Sequence, residues 1–143
     1  MSQSKINIQI RQAVRLRAKG SCEYCLSQEK LATQSFSVEH IKSISKGGIT
    51  ALENLALACQ GCNNHKYNKT EGQDPASGKI IPLYNPKQQN WHEHFTWNDD
   101  YAVIVGLTPT GRVTIEVLRL NREGLKNLRR ILYAMGEYPS IVE

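Results

Sequence analysis

Residues 22–25 read CEYC and residues 59–62 read CQGC, and these two turns hold all four cysteines of the chain. A C-x-x-C turn can aim both sulfurs at one ion. Two such turns complete a tetrahedral thiolate site with no open position, which is the closed, structural type of zinc site. The 33 residues between the turns are more than a zinc ribbon holds, so a sizeable element is looped out between them. Zinc would clamp both ends of that loop, and its binding energy becomes folding energy for a segment too small to support itself. The first residues, MSQSKINIQIRQ, lack the apolar core of a signal peptide, and no run approaches a membrane span. The expectation is a cytoplasmic protein with no membrane partner, where paired cysteines bind metal rather than form disulfides.

The looped-out segment begins FSVEHIKSISKGG (36–48), continues through LENLALAC (52–59) and passes the second knuckle into NNHKYNKT (63–70). Phe36 to Ile41 alternates as a strand, Lys42 to Thr50 reads as a loop, and a second short element precedes CQGC, with a helix after it. Chemistry-bearing side chains gather here: Glu39, His40, Asn54, Asn63, His65 and Lys66. Carboxylate and carboxamide oxygens suit Mg²⁺ or Mn²⁺. A neutral imidazole takes a proton from water near pH 7, and a lysine holds a phosphate as a point charge. An ion, a base and a cation together are the requirements of metal-assisted phosphodiester hydrolysis. Neighbours on a regular strand face opposite ways, so Glu39 and His40 share a site only where the strand bends or ends. On the following helix Asn63 and Lys66, three apart, share a face, while His65 points largely away. Asn63 is therefore the favoured ligand; His65 is a second claimant or a phosphate contact.

Taken together, CEYC…VEHIKSISKGG…LENLALACQGCNNHK resembles the HNH endonuclease family in its four-cysteine, zinc-containing form, over about residues 22–69. The resemblance implies an α+β fold whose core is a ββα-metal unit, a β-hairpin and a helix gripping one catalytic divalent ion. It implies His40 as general base, Glu39 in the acidic metal-ligand position and Asn63 at the last motif position as ligand. It also implies that Asn54 holds the hairpin together and orients the histidine. The expected activity is cleavage of DNA (RNA not excluded) to 5′-phosphate and 3′-hydroxyl ends, with a structural Zn²⁺ and a catalytic Mg²⁺ or Mn²⁺. The pieces DPASGK, PLYNP, W-x-x-HF-x-W and GLTPTGR resemble a tail found on small bacterial, especially cyanobacterial, HNH proteins.

Around that core the chain divides into a basic N-terminal helix (1–20), the zinc-stapled core (21–70) and a C-terminal extension (71–143). Within the first part, residues 6–19 read as a short helix stopped by Gly20. In the extension EGQDPASGK reads as a connector and GKIIPLYNP as extended chain. YAVIVG, the turn signal TPTG and RVTIEVLRL read together as a β-hairpin. Asn121 is the expected N-cap of a last helix ended by Gly136. Trp91, Phe95 and Trp97 are expected to pack a small core, and His92 and His94 to join an aromatic-packed surface rather than hold metal.

The formal net charge is +5, and residues 1–20 contribute all of it through Lys5, Arg11, Arg15, Arg17 and Lys19 with no acid. The N-terminal arginines (Arg11 and Arg15 among them), Lys42, Lys46 and Lys66 are the expected backbone-phosphate contacts, giving salt-sensitive affinity. Two other readings stand beside the nuclease. One is a non-catalytic, zinc-stabilised nucleic-acid-binding module; the other is a partner-binding role centred on the extension. Nothing in the sequence fixes the oligomeric state.

Overall fold

A computed structural model describes residues 6–139; Lys5, counted above with the basic segment, lies outside them. The first helix, α1 (Ile8–Ala18), begins where the Asn7 side chain accepts a hydrogen bond from the Ile10 amide at 2.9 Å. It stops at Lys19 and Gly20, both left-handed, with φ of 56° and 72°. Its buried residue is Val14, which joins the core with Ile6 ahead of the helix.

The first knuckle leads to β1 (Ser37–His40), which pairs antiparallel with β2 (Leu55–Ala58), setting Glu39 opposite Ala56 and His40 opposite Leu55. All four β2 residues are buried, so this strand forms the floor of the core. Helix α2 (Gln60–Lys66) starts inside the second knuckle: Cys59 is its N-cap, and the Cys59 sulfur accepts from the Cys62 amide. It packs against β1, which completes the ββα unit within a mixed α+β fold.

The extension is more regular than a connector with one hairpin. EGQDPASGK and the IIP after it fold back as β3 (Glu71–Gln73) and β4 (Ile80–Pro82) around a turn on Asp74. A short helix, α3 (Trp91–His94), then leads into β5 (Phe95–Trp97), which pairs with β6 (Ile104–Gly106). The hairpin expected across TPTG is therefore placed one element too late. Residues after TPTG form helix α4 (Pro109–Leu118), followed by α5 (Glu123–Ala134).

Two features explain that correction. Thr-Pro is also a helix start: the Thr108 hydroxyl accepts from the Gly111 amide at 3.1 Å, and Pro109 takes the first helical position. The β-branched run RVTIEV lies in a helix whose buried positions are Gly111, Val113, Thr114 and Leu118; the one-sided burial at 111, 114 and 118 has helical spacing and overrides β propensity. Gly111 is required there, since a Cβ would sit 2.0 Å from the His94 carbonyl oxygen. Asn121, expected as an N-cap, instead bridges the backbone of Ile104 and accepts from Arg129, and Arg122 takes the cap position of α5.

One buried cluster runs through both parts of the chain, from Val14, Tyr24, Leu55 and Leu57 to Trp91, Phe95, Val113 and Leu118. Trp91 stacks between Phe95 and Trp97 at centroid distances of 5.0 and 4.8 Å. Among the described residues no helix is long and apolar enough to cross a membrane.

Candidate active site and metal centre

The four cysteine sulfurs lie within 4.8 Å of one another, three of the residues fully buried and Cys59 partly so. No disulfide joins them. Each knuckle is set by its own backbone, with the Cys25 amide 3.4 Å from Cys22 Sγ and the Cys62 amide 3.5 Å from Cys59 Sγ. Burial pushes the Cys22 thiol up while hydrogen bonding from Cys22 holds Cys25 down. Four cysteine sulfurs at this spacing fit a closed, structural zinc site.

Facing away from the knuckles, the loop after β1 is held by one side chain. Asn54 accepts from the Lys42 amide at 2.9 Å and donates to the carbonyls of Lys42 and Ile49 at 2.9 and 2.8 Å. All three bonds tie the ends of KSISKGG together. Gly48 lets the loop close, because a Cβ there would lie 1.8 Å from the Lys42 carbonyl oxygen. The next residue but one, Thr50, places its hydroxyl 2.9 Å from His40 Nε2. Asn54 therefore reaches His40 through the loop and Thr50. The roles in that bond depend on the ring tautomer: with Nε2–H donating to Thr50, the lone pair sits on Nδ1. Burial, then the Lys66 charge, lowers the His40 pKa below its ordinary value. A neutral ring at pH 7 follows, the form a general base needs.

Glu39 points the other way. One carboxylate oxygen takes the Tyr24 hydroxyl at 2.6 Å and the other takes the Lys66 ammonium at 3.2 Å. Lys66 also donates to the carbonyls of His40 and Ile41, at 3.3 and 2.8 Å. Burial raises the Glu39 pKa, with the Lys66 charge and the Tyr24 hydroxyl opposing it. The expected metal-ligating carboxylate thus has both oxygens engaged by protein donors and is sealed from solvent. In this arrangement these residues do not fit a divalent cation held by Glu39: an ammonium already stands among the oxygens such an ion would use.

The remaining expected residues are placed as follows. Asn63 is half-buried on α2. His65 lines an open cleft with Lys69 and Arg119; burial, then Arg122, Arg119 and Lys69, lowers its pKa. It stands apart from Glu39, beside the α4–α5 corner. Lys66, expected as a phosphate contact, is 1% exposed and belongs to Glu39 instead. Arg15 forks onto Glu29 at 3.1 Å and reaches the Phe36 carbonyl. Arg17 ties α1 to the carbonyls of Leu52 and Leu55, and Arg11 donates to the Ile6 carbonyl. The basic helix is thus largely a brace on the hairpin. Lys42 and Lys46 remain exposed on the loop after His40. His94 bonds Thr108 at 2.6 Å and His92 packs on Trp91 and Trp97.

Sequence reasoning did not single out Tyr24, Thr50 or Arg122. Tyr24, inside the first knuckle, and Thr50, at the end of the Gly-Gly loop, were each signalled only by position.

Residues 22–69, about a third of the chain, match the family model described as HNH endonuclease. No curated protein and no solved structure matches the chain.

Proposed function

We propose that the protein hydrolyses phosphodiester bonds of nucleic acid, with DNA the default substrate, and that His40 is the general base. The observation that carries this reading is the His40 ring beside Thr50, in a loop that Asn54 closes, where burial and the Lys66 charge lower its pKa. His40 Nδ1 accepts the proton of a water attacking phosphorus. Lys42 and Lys46, exposed next to it, contact backbone phosphates, which makes affinity fall with salt. A reducing, cytoplasmic setting belongs to the proposal because it keeps the four sulfurs free to bind metal. The finer assignment of Mg²⁺ or Mn²⁺ to Glu39 and Asn63 requires Lys66 to leave Glu39 first.

The test is conversion of supercoiled plasmid to nicked or linear product, with Mg²⁺, Mn²⁺ or neither, by wild type and by His40→Ala. Cleavage by wild type alone supports the reading; equal cleavage by both rules it out.

One observation favours the competing reading, a zinc-stabilised nucleic-acid-binding module without catalysis. The buried Glu39–Lys66 pair neutralises the acid that would otherwise attract an ion. Salt-sensitive DNA or RNA binding with no cleavage under any metal would establish that module instead.

A further inference from the structure

The extension reaches back to the cysteine cluster at several points. The Trp91 indole donates to the Tyr24 carbonyl at 2.8 Å, and the Tyr138 hydroxyl to the Cys25 carbonyl at 3.1 Å, both on the first knuckle. On the second knuckle the contact is charged: Arg122 Nη2 lies 3.8 Å from Cys59 Sγ and 3.9 Å from Cys62 Sγ. The same guanidinium is aimed by its other nitrogen, which donates to the Leu118 and Arg119 carbonyls at 3.0 and 2.9 Å, at the C-terminal end of α4.

A second, independent observation concerns Gly61, in the middle of CQGC. A Cβ at Gly61 would lie 2.7 Å from Arg122 Nη2, 2.8 Å from Cζ and 3.1 Å from Nε. The guanidinium therefore lies flat over the knuckle, in the space a side chain would fill. Gly61 is helical, and glycine costs a helix roughly 1 kcal/mol against alanine, so its presence there needs a reason beyond local conformation.

We propose that Arg122 is a positioning and charge-compensating residue of the zinc centre, and that the extension serves as its cover. A zinc ion with four thiolates carries two net negative charges in a largely buried pocket. Arg122 donates to two of those sulfurs and offsets part of that negative charge, which holds the second knuckle closed on the ion. This inference rests on the four cysteines holding zinc and is independent of whether the domain cleaves nucleic acid.

The test is the rate of zinc transfer from the purified full-length zinc protein to a chromogenic chelator. Wild type, Arg122→Met, Arg122→Lys and Gly61→Ala are compared at equal zinc content, with far-UV dichroism as the folding control. Outer-shell partners are worth about 10–100-fold in metal affinity. Arg122→Met should therefore lose zinc at least tenfold faster than wild type, and Arg122→Lys should fall between. Gly61→Ala keeps the charge but displaces it. It should also release zinc faster, opposite to the effect of its better helix propensity. Cobalt-substituted Arg122→Met should keep a tetrahedral four-sulfur spectrum with a shifted sulfur-to-metal charge-transfer band. Wild-type release rates in a folded Arg122→Met would overturn the proposal. If Arg122→Met does not fold, Gly61→Ala decides it, and an unchanged rate there overturns it equally.

Discussion

The Lys66 ammonium stands 3.2 Å from Glu39 Oε1, and both side chains are only 2% exposed. This pair joins α2 to β1 at the point where the strand gives way to the His40 loop, and the Tyr24 hydroxyl closes its other side. A buried ion pair is expensive to desolvate, and its stabilising effect is clearest when one partner is removed alone.

Lys66→Met should therefore destabilise the fold by about 3–5 kcal/mol, the range for stranding one charge of a buried pair. Glu39→Gln combined with Lys66→Met should recover much of that loss. Urea or guanidinium unfolding of both variants at fixed zinc checks this. A double variant no more stable than Lys66→Met would contradict the pairing.

Asn54→Ala removes three hydrogen bonds that close the loop on His40. These bonds are solvent-exposed, so their backbone partners turn to water and the loss should cost about 0.5–1.5 kcal/mol. Cleavage should drop by more than stability does, with zinc content unchanged, and Gly48→Ala should give the same signature. Either variant cutting at the wild-type rate would separate the loop from function.

Thr50→Val deletes the hydroxyl beside His40 Nε2 while keeping the side chain's shape. Its kcat should fall about tenfold or more with KM little changed, and Thr50→Ser should restore most of it. A loss confined to KM would assign Thr50 to substrate binding instead.

The Arg112 guanidinium, gripping Asp74 at 2.9 Å through both carboxylate oxygens, holds the Asp74 carboxyl well below the usual carboxylate range; hydrogen bonds from Ser77 and Ala76 act the same way. The folded-state value lies below the unfolded one of about 3.9. Its contribution is therefore present above that pH and is lost as pH falls towards the folded value. Asp74→Asn should lower Tm at pH 7, and the gap from wild type should narrow below pH 4. Thermal melts at pH 7, 4 and 3 test the sign.

What could be read in the sequence was what lies close along the chain or has fixed spacing. The two knuckles, the β1–β2 hairpin and the helix starting at CQGC all follow from local pattern. The Asn54 contacts to Lys42 and Ile49 span only five to twelve residues, so they too are near neighbours along the chain. The long-range pairings were hidden. Arg15 and Arg17 read as a free basic face, yet their partners Glu29, Leu52 and Leu55 sit 14 to 38 residues further on. Lys66 read as a phosphate contact because nothing local says that it turns inward to Glu39, 27 residues back. The α4 segment was read as a strand because Val113, Ile115 and Val117 alternate. That alternation competes with a helical pattern that only the packing of Gly111 and Thr114 against neighbouring elements decides.

The central claim is that one imidazole, oriented through Thr50 and Asn54, makes this zinc-clamped hairpin a nuclease. The most direct measurement is single-turnover cleavage of labelled duplex DNA by wild type and His40→Ala at matched zinc content and matched DNA binding, in Mg²⁺ and in Mn²⁺. The account predicts cleavage by wild type and a loss of at least a hundredfold in the variant. Equal rates for the two proteins would contradict it.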